Sequence, residues 1–127
     1  MVREWIVAAV AGLTIGAAAC ATKHASGAAT PREQLIVTVN NSNYMDVDVF
    51  AVRGRTRTRV GSVTGLTTAT FNVPAEIAPD GNLQLLIDPV GSNSTYTTET
   101  ITVNPGQHVE LTVAPVLRMS RFSVWSQ

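Results

Sequence analysis

Chemistry in this chain would have to come from very few side chains. They are one cysteine, Cys20; two histidines, His24 and His108; a run of side-chain oxygens from Asn40 to Asp48; and four arginines at alternate positions, Arg53, Arg55, Arg57 and Arg59. A Ser-His-Asp arrangement would have to use His108, since no Gly-x-Ser-x-Gly turn is present and His24 falls in a polar linker. Gln107 and Glu110 flank His108 and put it at an outward strand position, the setting of an exposed histidine rather than a base. Zinc needs several His or Cys ligands, which cannot be assembled here. Asp46 and Asp48 with the asparagines at 40, 41 and 43 could offer oxygens to calcium, but they lack the spacing of a known calcium loop, and Asp48 has Arg59 as a cross-strand partner. No glycine-rich phosphate cradle or dinucleotide fingerprint occurs. The chain therefore reads as non-enzymatic, with no metal and no cofactor.

Two surface features remain. Period two places Arg55, Arg57 and Arg59 on one face of a strand. That face is either simply solvated, neutralised by Asp48 and covered by Phe50 through cation–π contact, or it touches a partner or lipid headgroups. The choice of arginine over lysine at all four positions favours bidentate contacts to carboxylates or phosphates. The second feature is the last dozen residues, which hold Val116, Leu117, Met119, Phe122, Val124 and Trp125. Alternation is broken there, so they cannot all face one core, and Met119, Phe122 and Trp125 have the composition of an interface centre. The competing reading is a last strand closing the fold.

Cys20 ends an Ala17-Ala18-Ala19-Cys20 run that follows an apolar stretch from Trp5 to Ile15. A short charged start, an apolar middle, small residues and then a cysteine form the pattern of a bacterial lipoprotein signal, because signal peptidases accept only small side chains beside the scissile bond. The apolar run is about fifteen residues, short of the roughly twenty that span a bilayer. Ala17 stands where such signals usually carry leucine, and Glu4 offsets Arg3. An ordinary secretory signal cut near Ala19 or Ala21, and a retained short anchor, are the alternatives. The expected organisation is a signal segment over 1–19, a lipidated Cys20 with a flexible small-residue tether over 20–31, and one domain over 32–127.

Nine basic residues balance nine acidic ones, which excludes nucleic acid as an expected partner. With a single cysteine there is no intramolecular disulfide, so the domain must rely on its core. Beyond Pro31 the chain shows no sustained helical spacing. It has short alternating runs between turn residues instead, the signature of an all-β sandwich or barrel. Leu35, Val37 and Val39 alternate in a first run, and Val47, Val49 and Ala51 in a second. Further strands are expected over 55–63, 68–73, 97–103 and 108–114, with Leu83, Leu85 and Ile87 inward in another and 117–125 as a possible eighth.

A two-residue turn at Arg53-Gly54 would set Phe50 against Arg57 and Asp48 against Arg59, leaving one polar and one core-like face. Pro105-Gly106 predicts a type II turn. A simple hairpin there would place Ile101 opposite Glu110, so the strands on either side are expected in opposite sheets. That favours a seven- or eight-stranded immunoglobulin-like Greek-key sandwich over a barrel.

Between Val47 and Gly106 the chain carries Phe50-Ala-Val-Arg-Gly, Arg59-Val-Gly-Ser-Val-Thr-Gly, Ala69-Thr-Phe-Asn-Val-Pro, Leu86-Ile-Asp-Pro-Val-Gly and Val103-Asn-Pro-Gly. In these turn and core positions it resembles small bacterial lipoproteins with a single immunoglobulin-like sandwich and no assigned activity. Proteins similar to these include extrinsic polypeptides that brace photosynthetic reaction centres and their antenna rings. The resemblance implies a structural, protein-binding subunit of a membrane assembly, held by a lipid on the extracytoplasmic (periplasmic) side. The other class to weigh is a cell-envelope module that binds a ligand or glycan, although Tyr44, Phe50 and Tyr96 are scattered in the sequence.

Overall fold

The computed structural model describes residues 34–126. The signal segment, Cys20 and the tether expected over 20–31 lie outside the described residues. What is described is all-β, in two sheets. The strands are β1 (Gln34–Asn41), β2 (Val47–Arg53), β3 (Thr56–Val63), β4 (Thr68–Pro74), β5 (Asn82–Pro89), β6 (Tyr96–Thr97), β7 (Ile101–Thr102), β8 (Gln107–Val113) and β9 (Arg121–Ser126). One sheet has the order β4-β1-β8-β9. The other runs β3-β2-β5-β6, with β7 also on β5. All neighbours are antiparallel except β1 and β8, which are parallel.

Period-two alternation makes the core. Leu35, Val37 and Val39 of β1, with Val109, Leu111 and Val113 of β8, face Val47, Val49 and Ala51 of β2 and Leu83, Leu85 and Ile87 of β5. All are buried, and each large aliphatic side chain contributes roughly 1.5–3 kcal/mol relative to exposure. Phe71 of β4 lies over Gly61 of β3 and closes one flank between the sheets; a Cβ at Gly61 would sit 2.3 Å from its ring.

Four expectations are corrected. The β2–β3 loop is Gly54-Arg55 rather than Arg53-Gly54, so Arg53 pairs with Thr56, Val52 with Arg57 and Phe50 with Arg59. Gly54 takes φ +58, which a glycine accommodates at the first loop position. The slip is an even number of residues, so Arg57 and Arg59 stay on the expected face. A bulge at Val60 then shifts the register by one more, placing Asp48 opposite Ser62 and Val47 opposite Val63. Phe50 makes no cation–π contact among the described residues.

The expected strand over 97–103 is split into β6 and β7. Thr98 between them is buried and replaces the ladder: its N–H donates to the Leu85 carbonyl at 2.9 Å, and its hydroxyl accepts from the Leu85 N–H at 3.0 Å. Among the described residues, nine strand segments therefore occupy eight strand positions. Finally, Leu117–Met119 form a 3₁₀ turn, and the last strand starts only at Arg121. Within β9 alternation holds: Phe122 and Val124 pack on the core while Arg121, Ser123 and Trp125 face outward.

The Pro105-Gly106 expectation holds. Gly106 has φ +85, the Gln107 N–H donates to the Asn104 carbonyl at 3.1 Å, and the flanking strands β7 and β8 lie in different sheets.

Candidate functional site

Strand direction sorts every connection to one of two ends. The β2–β3 loop, the 75–81 segment and the 104–106 turn share one end with Gln34, where the chain enters the domain. The loops 42–46, 64–67, 90–95 and 114–120 share the other.

The entry end carries the arginine hairpin. Arg53, Arg55, Arg57 and Arg59 are all exposed, and β3 is the outermost strand of its sheet. Arg59 donates to Asp48 at 2.9 Å, diagonally across the bulge rather than directly opposite. The Ser62 hydroxyl also donates to Asp48. That hydroxyl, then the Arg59 guanidinium, holds the Asp48 carboxyl below its usual range against the opposing effect of burial. At the loop end of β4–β5 the Asn82 backbone N–H lowers Asp80, with Arg53 adding a smaller effect. Arg55 and Arg57 have no ion-pair partner among the described residues.

The pair predicts a small pH effect. Asp48 has a folded-state pKa below its unfolded one, so its contribution is present above the unfolded value and disappears as pH falls through the folded one. Urea unfolding of Asp48→Asn beside the parent should show a difference of less than about 1 kcal/mol at neutral pH, because the pair is solvent-exposed. That difference should shrink on acidification, and a constant gap would refute the ionic origin.

The opposite end is different in kind. Tyr44 (81% exposed), Met45, Leu66 (61%), Val90, Val116 and Met119 lie on its four loops; among the described residues Trp125 is the only other exposed large apolar side chain. Three of these loops, 42–46, 64–67 and 114–120, are tied together by two buried asparagines. Asn41 accepts the Asn43 N–H at 3.0 Å and donates to the carbonyls of Met45 at 2.8 Å, Thr64 at 3.2 Å and Val63 at 3.3 Å. Asn43 accepts the Met45 N–H at 3.0 Å and reaches the carbonyls of Pro115 and Ala114 at 3.3 and 3.4 Å. The Leu66 N–H donates to the Asn43 carbonyl, and the Val90 N–H to that of Asp46. Leu66 sits at φ +59, a left-handed conformation that costs a leucine about 1–2 kcal/mol.

A groove of about 530 Å³ runs between Met45, Tyr96, Val116 and Leu117. The end is thus a pre-set apolar surface rather than a set of loose tips. The asparagine oxygens considered for calcium are committed to backbone N–H groups at positions 41 and 43.

Of the tail residues expected at a partner surface, Met119 belongs to this loop end. Trp125 (40% exposed) lies on the outer face of the first sheet, near the entry end, stacked on His108 with ring centroids 5.6 Å apart. Phe122 faces the core side. Tyr44, Met45, Leu66, Val90 and Val116 were not expected as a group. Their one sequence signal is large apolar residues inside turn segments such as Asn43-Tyr44-Met45-Asp46 and Gly65-Leu66-Thr67. In comparison with known proteins, the chain matches no family model and no curated protein.

Proposed function

We propose that this protein is a non-enzymatic, membrane-tethered extracytoplasmic sandwich that serves as a structural, protein-binding subunit of a membrane assembly. The observation that carries this reading is the apolar loop end. Six large exposed side chains are carried on four loops of one end, loop 42–46 is hydrogen-bonded to each of the other three, and such restraint lowers the ordering cost of association. Monomeric surfaces rarely keep such a patch uncovered. Lipidation at Cys20 supplies the anchor, and the photosynthetic reaction centre–antenna assemblies suggested by resemblance are the first partners to try. The immunoglobulin-like Greek-key part of this reading is supported by β1→β2, β3→β4, β4→β5 and β7→β8 each crossing between sheets and by β2 lying beside β5. The β8–β9 hairpin beside β1, in parallel register, is its departure from the usual order. The groove beside Tyr96 favours the second reading, a cell-envelope module for a ligand or glycan.

Co-purification from detergent-solubilised membranes tests both. Leu66→Asn is the informative variant, since asparagine accepts the left-handed conformation more readily than leucine. Stability should hold or rise by up to about 1 kcal/mol while the protein partner is lost. Retention of the partner by Leu66→Asn together with Tyr44→Ser would rule out the loop end as the contact. A glycan bound without any co-purifying protein would favour the second reading. In the same preparation, Cys20→Ser should leave an uncut precursor or a soluble form, and mass spectrometry of the parent should find the lipid on Cys20.

A further inference from the structure

We propose that the outer edge of β9 is a homodimer interface, where a second copy of this chain lays its own β9 antiparallel and extends the four-stranded sheet to eight strands. A sheet edge presents unpaired N–H and C=O groups, and proteins normally blunt it. Among the described residues, three of the four sheet edges are blunted. β3 carries Arg55, Arg57 and Arg59 at or beside its strand and a bulge at Val60. β6 and β7 are two-residue fragments interrupted at Thr98. β4 ends in Pro74 and is covered on its flank where Phe71 meets Gly61 of β3. β9 has six continuous residues in unbroken register with β8, no proline, glycine or bulge, and a single charge, Arg121, at its start.

The second copy is selected as occupant because the strand is complementary to itself. With a two-fold axis at Ser123, Arg121 of each copy stands opposite Trp125 of the other on the outer face, where guanidinium and indole attract by cation–π contact. On the inner face Phe122 stands opposite Val124, both half-buried and already packed on the core, so the pairing continues the apolar layer across the junction. Ser123 meets itself. Moving the axis one residue to Val124 would set Phe122 against Ser126 and Ser123 against Trp125, losing both matches. An isologous pair of this kind closes, as two-fold interfaces do.

The inference specifies one partner surface of the proposed subunit, and the pairing does not depend on the anchor. If both copies are anchored, antiparallel pairing puts the two Gln34 ends at opposite ends of the dimer. The strands then lie along the membrane, and the thirteen residues between Cys20 and Gln34 reach at most about 45 Å, enough to allow it.

The test uses the full chain in mild detergent. Ser123→Cys under mild oxidation should form a disulfide-linked dimer in far higher yield than the parent with Cys20 alone, or than Thr70→Cys on β4 at the opposite edge of the sheet. Ser123→Lys keeps the monomer sound, because Glu110 lies beside position 123 across β8, but sets two ammonium groups against each other at the axis. Its mass by analytical ultracentrifugation should fall from two copies to one, with an unchanged far-ultraviolet spectrum. A parent that sediments as one copy would overturn the proposal. So would a dimer that persists in Ser123→Lys, or a Ser123→Cys thiol that links only to a different protein. Because the loop-end variants leave β9 intact, loss of dimer and loss of the co-purifying partner are read separately.

Discussion

Asn41→Ala is expected to lower folding stability by about 3–5 kcal/mol, more than any other polar truncation in the domain. The Asn41 amide is buried, and it holds the Asn43 N–H together with the carbonyls of Met45, Val63 and Thr64. Alanine leaves those groups without that partner; the Asn43 N–H and the Val63 carbonyl are bonded in buried positions and the other two in half-buried ones, and each orphaned buried group costs about 1–3 kcal/mol. A domain of this size has roughly 5–15 kcal/mol in total, so the variant should unfold at a much lower urea midpoint. Asn41→Asp sharpens the test. It keeps the acceptor for Asn43 but turns the donor side into an oxygen facing three carbonyls, so the carboxyl should be favoured in its protonated, donating form. Its folded pKa would then lie above the unfolded one. Stability would be greatest below the unfolded value and would fall as pH rises through the folded value. Equal stability of Asn41→Ala and parent would show that loops 42–46 and 64–67 are not held through this amide.

Gly65→Ala should cost about 2–4 kcal/mol, through overpacking rather than through lost bonds. A Cβ at Gly65 would lie 2.2 Å from the Tyr44 carbonyl oxygen and 2.7 Å from its carbon. Both are backbone atoms of a loop pinned by Asn41 and Asn43, so neither can swing aside, and forced core contacts typically cost about 1–3 kcal/mol or more. Gly61→Ala meets the Phe71 ring at 2.3 Å, but a side chain on an edge strand can rotate away, so the loss should be smaller. Gly54→Ala meets open space and carries only the conformational cost of φ +58, about 1 kcal/mol. Urea midpoints should therefore fall in the order Gly54→Ala, Gly61→Ala, Gly65→Ala, the last being lowest. Any reversal between the first and last would mean that loop 42–46 yields. Gly65→Ala should also displace Tyr44 and Met45, so partner binding should weaken even where the domain stays folded.

Much of the architecture was legible from alternation and turn chemistry. Leu35, Val37 and Val39, and likewise Leu83, Leu85 and Ile87, follow period two because a strand shows successive side chains to opposite faces. Pro105-Gly106 announced its turn, since proline presets one dihedral and glycine supplies the positive φ after it. The mismatch of Ile101 with Glu110 even placed β7 and β8 in different sheets. The arginine face was legible for the same reason, and a slip of an even number of residues left it unchanged.

What the linear chain did not disclose depends on contacts between distant segments. The bulge at Val60, the break at Thr98 and the late start of β9 answer to neighbouring strands, whose register is set by packing rather than by local preference. In the sequence Asn41 and Asn43 read only as spare oxygens. Only the approach of residues 63–64 and 114–115 turned Asn41 and Asn43 into ties between loops. In the same way Tyr44, Leu66, Val90 and Val116 stand at least 22 residues apart along the chain, and nothing in their local sequence brings them together. Strands, turns and an inward face could be read from the linear chain, because they follow from covalent geometry and near neighbours. Which loops meet at one end, and hence where the apolar surface lies, depends on strand order and sheet crossing, and those are set by how the whole core closes.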